Sequence, residues 1–257
     1  MKIPSFNKFI AKSIINSFLS FPCPICGEKS QAGNFNGLCE KCSATLKEIP
    51  QPYCSECGGT NKGFLAMCDK CIRGLERPWD KIIAVYEYDY LAGKMLRNLK
   101  YNNGSHMIKG LMPAVLNRIL YSLDEIDFMV PIPLHYSRLL TRGFNQSELL
   151  AIELKESLKY SDCLEFQKYK NLKVINLLSR KMRTKVQMTL AQEERLKNMQ
   201  GVFAVRQRMV KKYNISKDSK ILLIDDVLTT GATLKFATDA LNAAGFKNVN
   251  VLVLARR

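Results

Sequence analysis

Eight of the nine cysteines in this chain fall between residues 23 and 71, as four C-x-x-C pairs: Cys23/Cys26, Cys39/Cys42, Cys54/Cys57 and Cys68/Cys71. The intervals between pairs are twelve, eleven and ten residues. A C-x-x-C turn sets two sulfurs at neighbouring corners of a tetrahedron, so two such turns close an S4 site of the kind that holds structural Zn2+. Gly27 and Gly58 each follow the second Cys of a pair, where a tight knuckle takes a residue with positive φ. A disulfide framework fits poorly: nothing upstream reads as an export signal, and a C-x-x-C disulfide closes a strained ring. A redox role of the thioredoxin type would need four copies. The expectation is two structural zinc ions on all eight cysteines. Pairing in sequence order gives two consecutive zinc ribbons with the shortest loops to close, and a cross-braced pairing uses the same residues.

The segment 22–75 that carries these pairs has few large apolar residues, so metal is expected to supply most of its folding energy, on the order of 10 kcal/mol per site. Ahead of it, residues 1–21 space Ile3, Phe6, Phe9, Ile10, Ile14, Ile15, Phe18 and Leu19 three or four apart, with Lys2, Lys8 and Lys12 on the polar side. That is an amphipathic helix, packed on the zinc module or lying on a membrane surface. No apolar run approaches the ~18–20 residues of a membrane-spanning helix. The ninth cysteine, Cys163, stands beside Leu164 and Phe166 and reads as a small buried hydrophobe.

From residue 78 onward the pattern changes. Strand-like runs at 81–88 (KIIAVYEY), 126–131 (IDFMVP), 221–224 and 249–254 alternate with helical patterns at 91–100, 107–120, 147–158 and 232–243. Gly245 stops the last helix. Such alternation predicts an α/β domain over 78–257, with a parallel sheet whose ligands bind at the carboxyl ends of the strands.

The most informative string is ILLIDDVLTTGATL at 221–234. Four apolar residues form a buried strand, and Asp225 and Asp226 are expected to emerge at its end. The following loop offers the hydroxyls of Thr229, Thr230 and Thr233 and the backbone of Gly231 and Ala232 at the start of a helix. Backbone N–H groups and the positive helix end can cradle a monophosphate there. Adjacent carboxylates can accept hydrogen bonds from the vicinal hydroxyls of a ribose. The string closely resembles the 5-phosphoribosyl-1-pyrophosphate motif of type I phosphoribosyltransferases. That resemblance implies Asp225 and Asp226 on the ribose hydroxyls, and Thr229, Thr230, Gly231, Ala232 and Thr233 on the 5-phosphate.

Two further strings, PIPLHYSRLLTRGFNQSEL at 131–149 and LSRKMRTKVQMTLAQEERLKNMQGVF at 178–203, together with the cysteine pairs, are similar to the ComF family of bacterial competence proteins. The resemblance runs from about Cys23 to the end of the chain. It implies a type I phosphoribosyltransferase-like parallel sheet fused to an N-terminal zinc-ribbon module. It also implies a cytoplasmic protein, with contact to the inner face of the membrane open through residues 1–21. Such a protein would handle single-stranded DNA during natural transformation, beside a helicase-like ATPase. The alternative is an active Mg2+-dependent phosphoribosyltransferase of nucleotide metabolism. Where those enzymes hold pyrophosphate with a short loop, often containing Gly or Lys, this chain has Pro131–His135, with two prolines and no glycine; Arg138 and Arg142 lie just beyond. The departure tips the reading toward binding. His106 and His135, the only histidines, are not read as general bases.

The formal net charge is +16. Residues 168–212 alone hold thirteen Lys and Arg against Glu193 and Glu194. Within them Arg180, Lys181, Arg183 and Lys185 cluster on a predicted loop that can track a phosphate backbone or close over a pyrophosphate. Tyr169 and Phe203 nearby read more readily as core than as base-stacking platforms.

Overall fold

The computed structural model describes residues 23, 25–28, 38–61, 65–74, 77–101, 105–122, 125–161, 163–180 and 201–257. The helix expected over 1–21, and Lys181, Arg183 and Lys185, lie outside the described residues, as does the side chain of His106.

The cysteine-rich part contributes two short helices, α1 (Glu40–Thr45) and α2 (Asp69–Ile72). After it come β1 (Ile82–Glu87), α3 (Tyr90–Tyr101), α4 (Ser105–Ser122), β2 (Phe128–Pro131), α5 (Tyr136–Arg142) and α6 (Gln146–Lys159). A 3-10 turn at Leu164–Tyr169 leads to β3 (Lys173–Val174), β4 (Leu178–Arg180), β5 (Phe203–Val205) and α7 (Gln207–Tyr213). The chain closes with β6 (Ile221–Leu228), α8 (Ala232–Ala243) and β7 (Val249–Arg256).

Five strands form one parallel sheet in the order β1-β7-β6-β2-β3. Side chains alternate across it, as the period of two requires. Ile83, Val85, Met129, Leu222, Ile224, Leu252 and Leu254 face a core shared with α3, α4 and α6. Ile82, Ala84, Val130, Ile221, Leu223, Val251 and Val253 face a second core under α8 and the antiparallel pair β4–β5. Tyr169 and Phe203 are buried in these cores, which removes them as exposed stacking surfaces.

The position of β6 matters for ligands. From β2 the chain moves outward through α6 to β3, whereas from β6 it moves the other way through α8 to β7. Neighbouring strands whose connections diverge leave a crevice at their carboxyl ends, the topological switch point of an open α/β sheet.

The cysteine-rich part has more core than its composition predicts. Ile25, Leu38 and Leu46 belong to the same buried cluster as Ile83 and Val85 of β1. Ile49 and Trp79 belong to the cluster on the opposite face. Backbone bonds bind this part to the β1 edge: Ile49 N donates to Val85 O, Glu87 N to Lys47 O and Ile82 N to Ser55 O. The module thus caps an edge strand and borrows both cores. Gly58, at φ 66°, makes this close approach, because a Cβ there would lie 2.9 Å from the Ala84 Cβ.

Candidate functional site: a carboxylate crevice and two four-cysteine groups

The cysteines gather in sequence order. Cys23, Cys26, Cys39 and Cys42 form one group and Cys54, Cys57, Cys68 and Cys71 the other, each with its ligand atoms within 4.8 Å of one another. The cross-braced alternative is therefore set aside. Gly27 takes φ 81° at its knuckle, as the sequence predicts. Four thiols this close cannot all ionise without a cation. Burial, together with neighbouring thiols that include Cys39, pushes the Cys42 thiol up; burial and the Cys57 charge do the same for Cys71. Burial also acts on Cys23, but N–H donors such as that of Cys39 outweigh it and bring its thiol down to about 7. A closed four-sulfur set with N–H groups directed at sulfur suits a soft tetrahedral divalent ion. Cys42 N, for example, donates to Cys39 Sγ at 3.4 Å and Cys68 N to Cys54 Sγ at 3.3 Å. The second group is also tied to the sheet. Arg256, at the end of β7, donates from Nε to Cys57 O at 2.6 Å and from Nη2 to Cys57 Sγ at 3.2 Å.

The crevice between β2 and β6 collects most of the other expected residues. β6 runs on past the carboxylates to Leu228, so Asp225 and Asp226 sit inside the strand rather than beyond its end; both are about 9% exposed. The apolar run breaks at Asp225, but pairing with β7 continues through Leu228 opposite Arg256. Backbone pairing, not side-chain polarity, sets the strand's length. Beyond it, Thr229 and Thr230 are exposed, and Gly231 caps α8 with φ 81°. Ala232 N lies 3.4 Å from Thr230 Oγ1, within the turn that opens the helix. Ala232 and Thr233 are half-buried in the first turn.

Ser147, in the first turn of α6, donates from Oγ to Asp225 Oδ1 at 3.0 Å, and Asp226 N donates to the same oxygen at 2.9 Å. Lys100, near the end of α3, pairs its Nζ with Asp226 Oδ2 at 2.5 Å. Burial, and then the Asp226 charge, raise the Asp225 carboxyl to about 7; the Asp226 N–H, Ser147 and Lys100 oppose this without cancelling it.

The glycine-free turn after β2 does reach the crevice. Ile132 N donates to Ile224 O at 2.9 Å, and the buried Asn145 side chain donates to Ile132 O at 2.9 Å. His135 caps α5 by accepting from Ser137 N at 3.2 Å, a structural role. Arg138 then stands in the first turn of α5. Arg180, at the end of β4, has its guanidinium over the Phe203 ring at 5.5 Å. Burial and the adjacent Arg138 lower the Arg180 guanidinium, while the Asp225 charge acts in the opposite sense. Arg138, Arg180 and Asp225 therefore share one electrostatic neighbourhood. Arg142 points elsewhere: it donates to Gln146 Oε1 at 3.2 Å and to the Tyr101 hydroxyl at 3.4 Å, stacked on that ring.

Three residues at the site are not marked by the sequence alone. Ser147 lies in the quoted string 131–149, where three successive polar residues, Asn145, Gln146 and Ser147, are all buried at a helix start. Lys100 ends a helical pattern just before Asn-Asn-Gly, a weak signal. Arg77, in an Arg-Pro-Trp joint, lies close to Gly231: a Cβ on that glycine would meet its Nη1 at 2.3 Å.

Comparison with known proteins agrees with this geometry. A family model described as phosphoribosyl transferase domain matches residues 170–257, the part that holds β6, α8 and β7. The chain is 27% identical to Competence protein F of Haemophilus influenzae over 254 residues, 93% of this chain and 99% of that protein. It is 25% identical to DNA utilization protein YhgH of Escherichia coli over 239 residues, 91% of this chain and 96% of that protein. It is 27% identical to Competence protein ComFC of Bacillus subtilis over 214 residues, 81% of this chain and 79% of that protein.

Proposed function

We propose that this chain, similar along nearly all of its length to ComF-type competence proteins, takes part in DNA uptake by handling single-stranded DNA in the cytoplasm. In this reading the β2–β6 crevice binds a ribose 5-phosphate group of the kind found in phosphoribosyl pyrophosphate. The observation that carries the pocket is the convergence of a buried carboxylate pair, a helix N-terminus and two arginines at one switch point. Ribose hydroxyls would donate to Asp225 and Asp226, the loop from Thr229 to Thr233 would take the 5-phosphate, and Arg138 and Arg180 the pyrophosphate. Mg2+ would enter with the pyrophosphate it neutralises, since Lys100 already compensates Asp226. Zinc is the ion that best suits the two four-cysteine groups. The reading includes a helicase-like ATPase partner. Among the described residues, no helix is long and apolar enough to cross a membrane.

A fluorescence-anisotropy titration with labelled single-stranded DNA tests the reading. Affinity is expected to fall with salt at a log–log slope of about −0.7 per phosphate neutralised. Arg183→Ala with Lys185→Ala is expected to weaken binding and flatten the slope for any base sequence. Binding by this variant equal to that of the wild type counts against the assignment. Arg180, held at the crevice, is tested separately: phosphoribosyl pyrophosphate with Mg2+ displaces the strand only where DNA and sugar phosphate share it.

The same convergence of arginines on Asp225 favours a second reading, phosphoribosyl transfer. It predicts pyrophosphate release that depends on the donor and Mg2+ and that Asp225→Ala abolishes. No release with any common base leaves binding as the pocket's work.

A further inference from the structure

Arg77 stands in the joint between the second four-cysteine group and β1, and its position is unusual electrostatically. The joint runs beside α8: Asn242, near the end of that helix, donates from Nδ2 to Pro78 O at 2.9 Å. From there the Arg77 side chain reaches the opposite end of the helix, so that a Cβ on the cap residue Gly231 would lie 2.3 Å from Nη1. A helix N-terminus carries roughly half a positive charge, which repels a guanidinium. No carboxylate pairs with Arg77 among the described residues, and its Nε is buried without an acceptor. Stacking on Trp79, with the guanidinium carbon 5.2 Å from the ring centroid, holds the charge in place. Trp79 is itself fixed by the cysteine-rich part, donating from Nε1 to Glu56 O at 2.9 Å, between Cys54 and Cys57. Two positive features stand in contact with one donor unanswered, an arrangement that an anion bound by both relieves.

We propose that Arg77 is a direct ligand of the phosphate group bound at the start of α8, delivered by the joint and held in register by Trp79. This rests on the ribose 5-phosphate reading above and deepens it: the second four-cysteine group becomes a support of the pocket as well as a fold element. A guanidinium fork suits a phosphate, offering two parallel donors where a lysine offers a point charge.

The test is isothermal titration of the full, metal-loaded chain with ribose 5-phosphate and, separately, with inorganic phosphate. Arg77→Gln is expected to weaken both about tenfold, equivalent to about 1.4 kcal/mol, with far-UV circular dichroism unchanged. Arg77→Lys, which keeps the stem and the charge, guards against a folding defect and is expected to bind between the two. Wild-type affinity in the folded Gln variant, or in the Lys variant, overturns the proposal while leaving the pocket standing. Failure of the wild type itself to bind ribose 5-phosphate is a different result, and sinks the pocket reading on which the proposal rests.

Discussion

Stripping metal from the two four-cysteine groups is expected to unfold the whole chain in one cooperative transition, including the α/β part that holds no cysteine ligand. A structural zinc site contributes on the order of 10 kcal/mol, whereas a whole domain is stable by roughly 5–15 kcal/mol. A free-standing module would spend that loss on itself alone. Here the loss spreads, because Ile25, Leu38 and Leu46 are packed with Ile83 and Val85, and Ile49 and Trp79 with the opposite core. The β1 edge also loses its backbone partners at Lys47, Ile49 and Ser55. Arg256 loses the Cys57 carbonyl and sulfur that fix the end of β7. Thermal melts followed by far-UV circular dichroism, with and without a strong chelator, read this directly. Two separated transitions, with the upper one unmoved by chelation, would contradict the shared core.

What the sequence makes legible here is what lies close together in it. The β6–α8 string places two carboxylates, a phosphate loop and a helix start within fourteen residues, and the structure keeps them together, with α8 at the expected residues Ala232–Ala243. The cysteine pairs are legible for the same reason, since short loops favour pairing in sequence order. The partners of that string come from far along the chain. Ser147 is 78 residues from Asp225, and Lys100 is 126 residues from Asp226. Neither residue type announces such a meeting. Docking of the cysteine-rich part is hidden more deeply, because it runs through backbone groups at Lys47, Ile49 and Ser55, whose pairing leaves no trace in side-chain pattern. The pair β4–β5 is likewise antiparallel and three residues long in each strand, too short for alternation to show.

Without ligand, the protein is expected to lose stability as pH rises from about 4 through 7, and Asp225→Asn is expected to remove most of that slope. The Asp225 carboxyl is raised from 3.8 to about 7, first by burial and then by the neighbouring Asp226 charge. A carboxyl whose folded value is raised binds its proton more tightly in the native state than in the unfolded one. Its contribution is therefore fully present below the unfolded value and is lost as pH climbs through the folded one. Each unit of such a shift is worth 1.36 kcal/mol, so the loss is on the order of a few kcal/mol. Asparagine keeps the shape and an acceptor for Ser147 and carries no charge to desolvate. The variant should thus be the more stable protein at pH 8 and close to the wild type at pH 4, as measured by urea unfolding across that range. A wild-type curve whose midpoint rises between pH 5 and 8 would show the carboxylate to be stabilised, not strained, in the empty crevice. The same variant should bind ribose 5-phosphate less well at pH 8, because an amide is a weaker acceptor for the sugar hydroxyls than a carboxylate. Gain of stability and loss of binding in one substitution is what a buried charge held ready for a ligand predicts: the hydroxyl donors replace the water that folding took away.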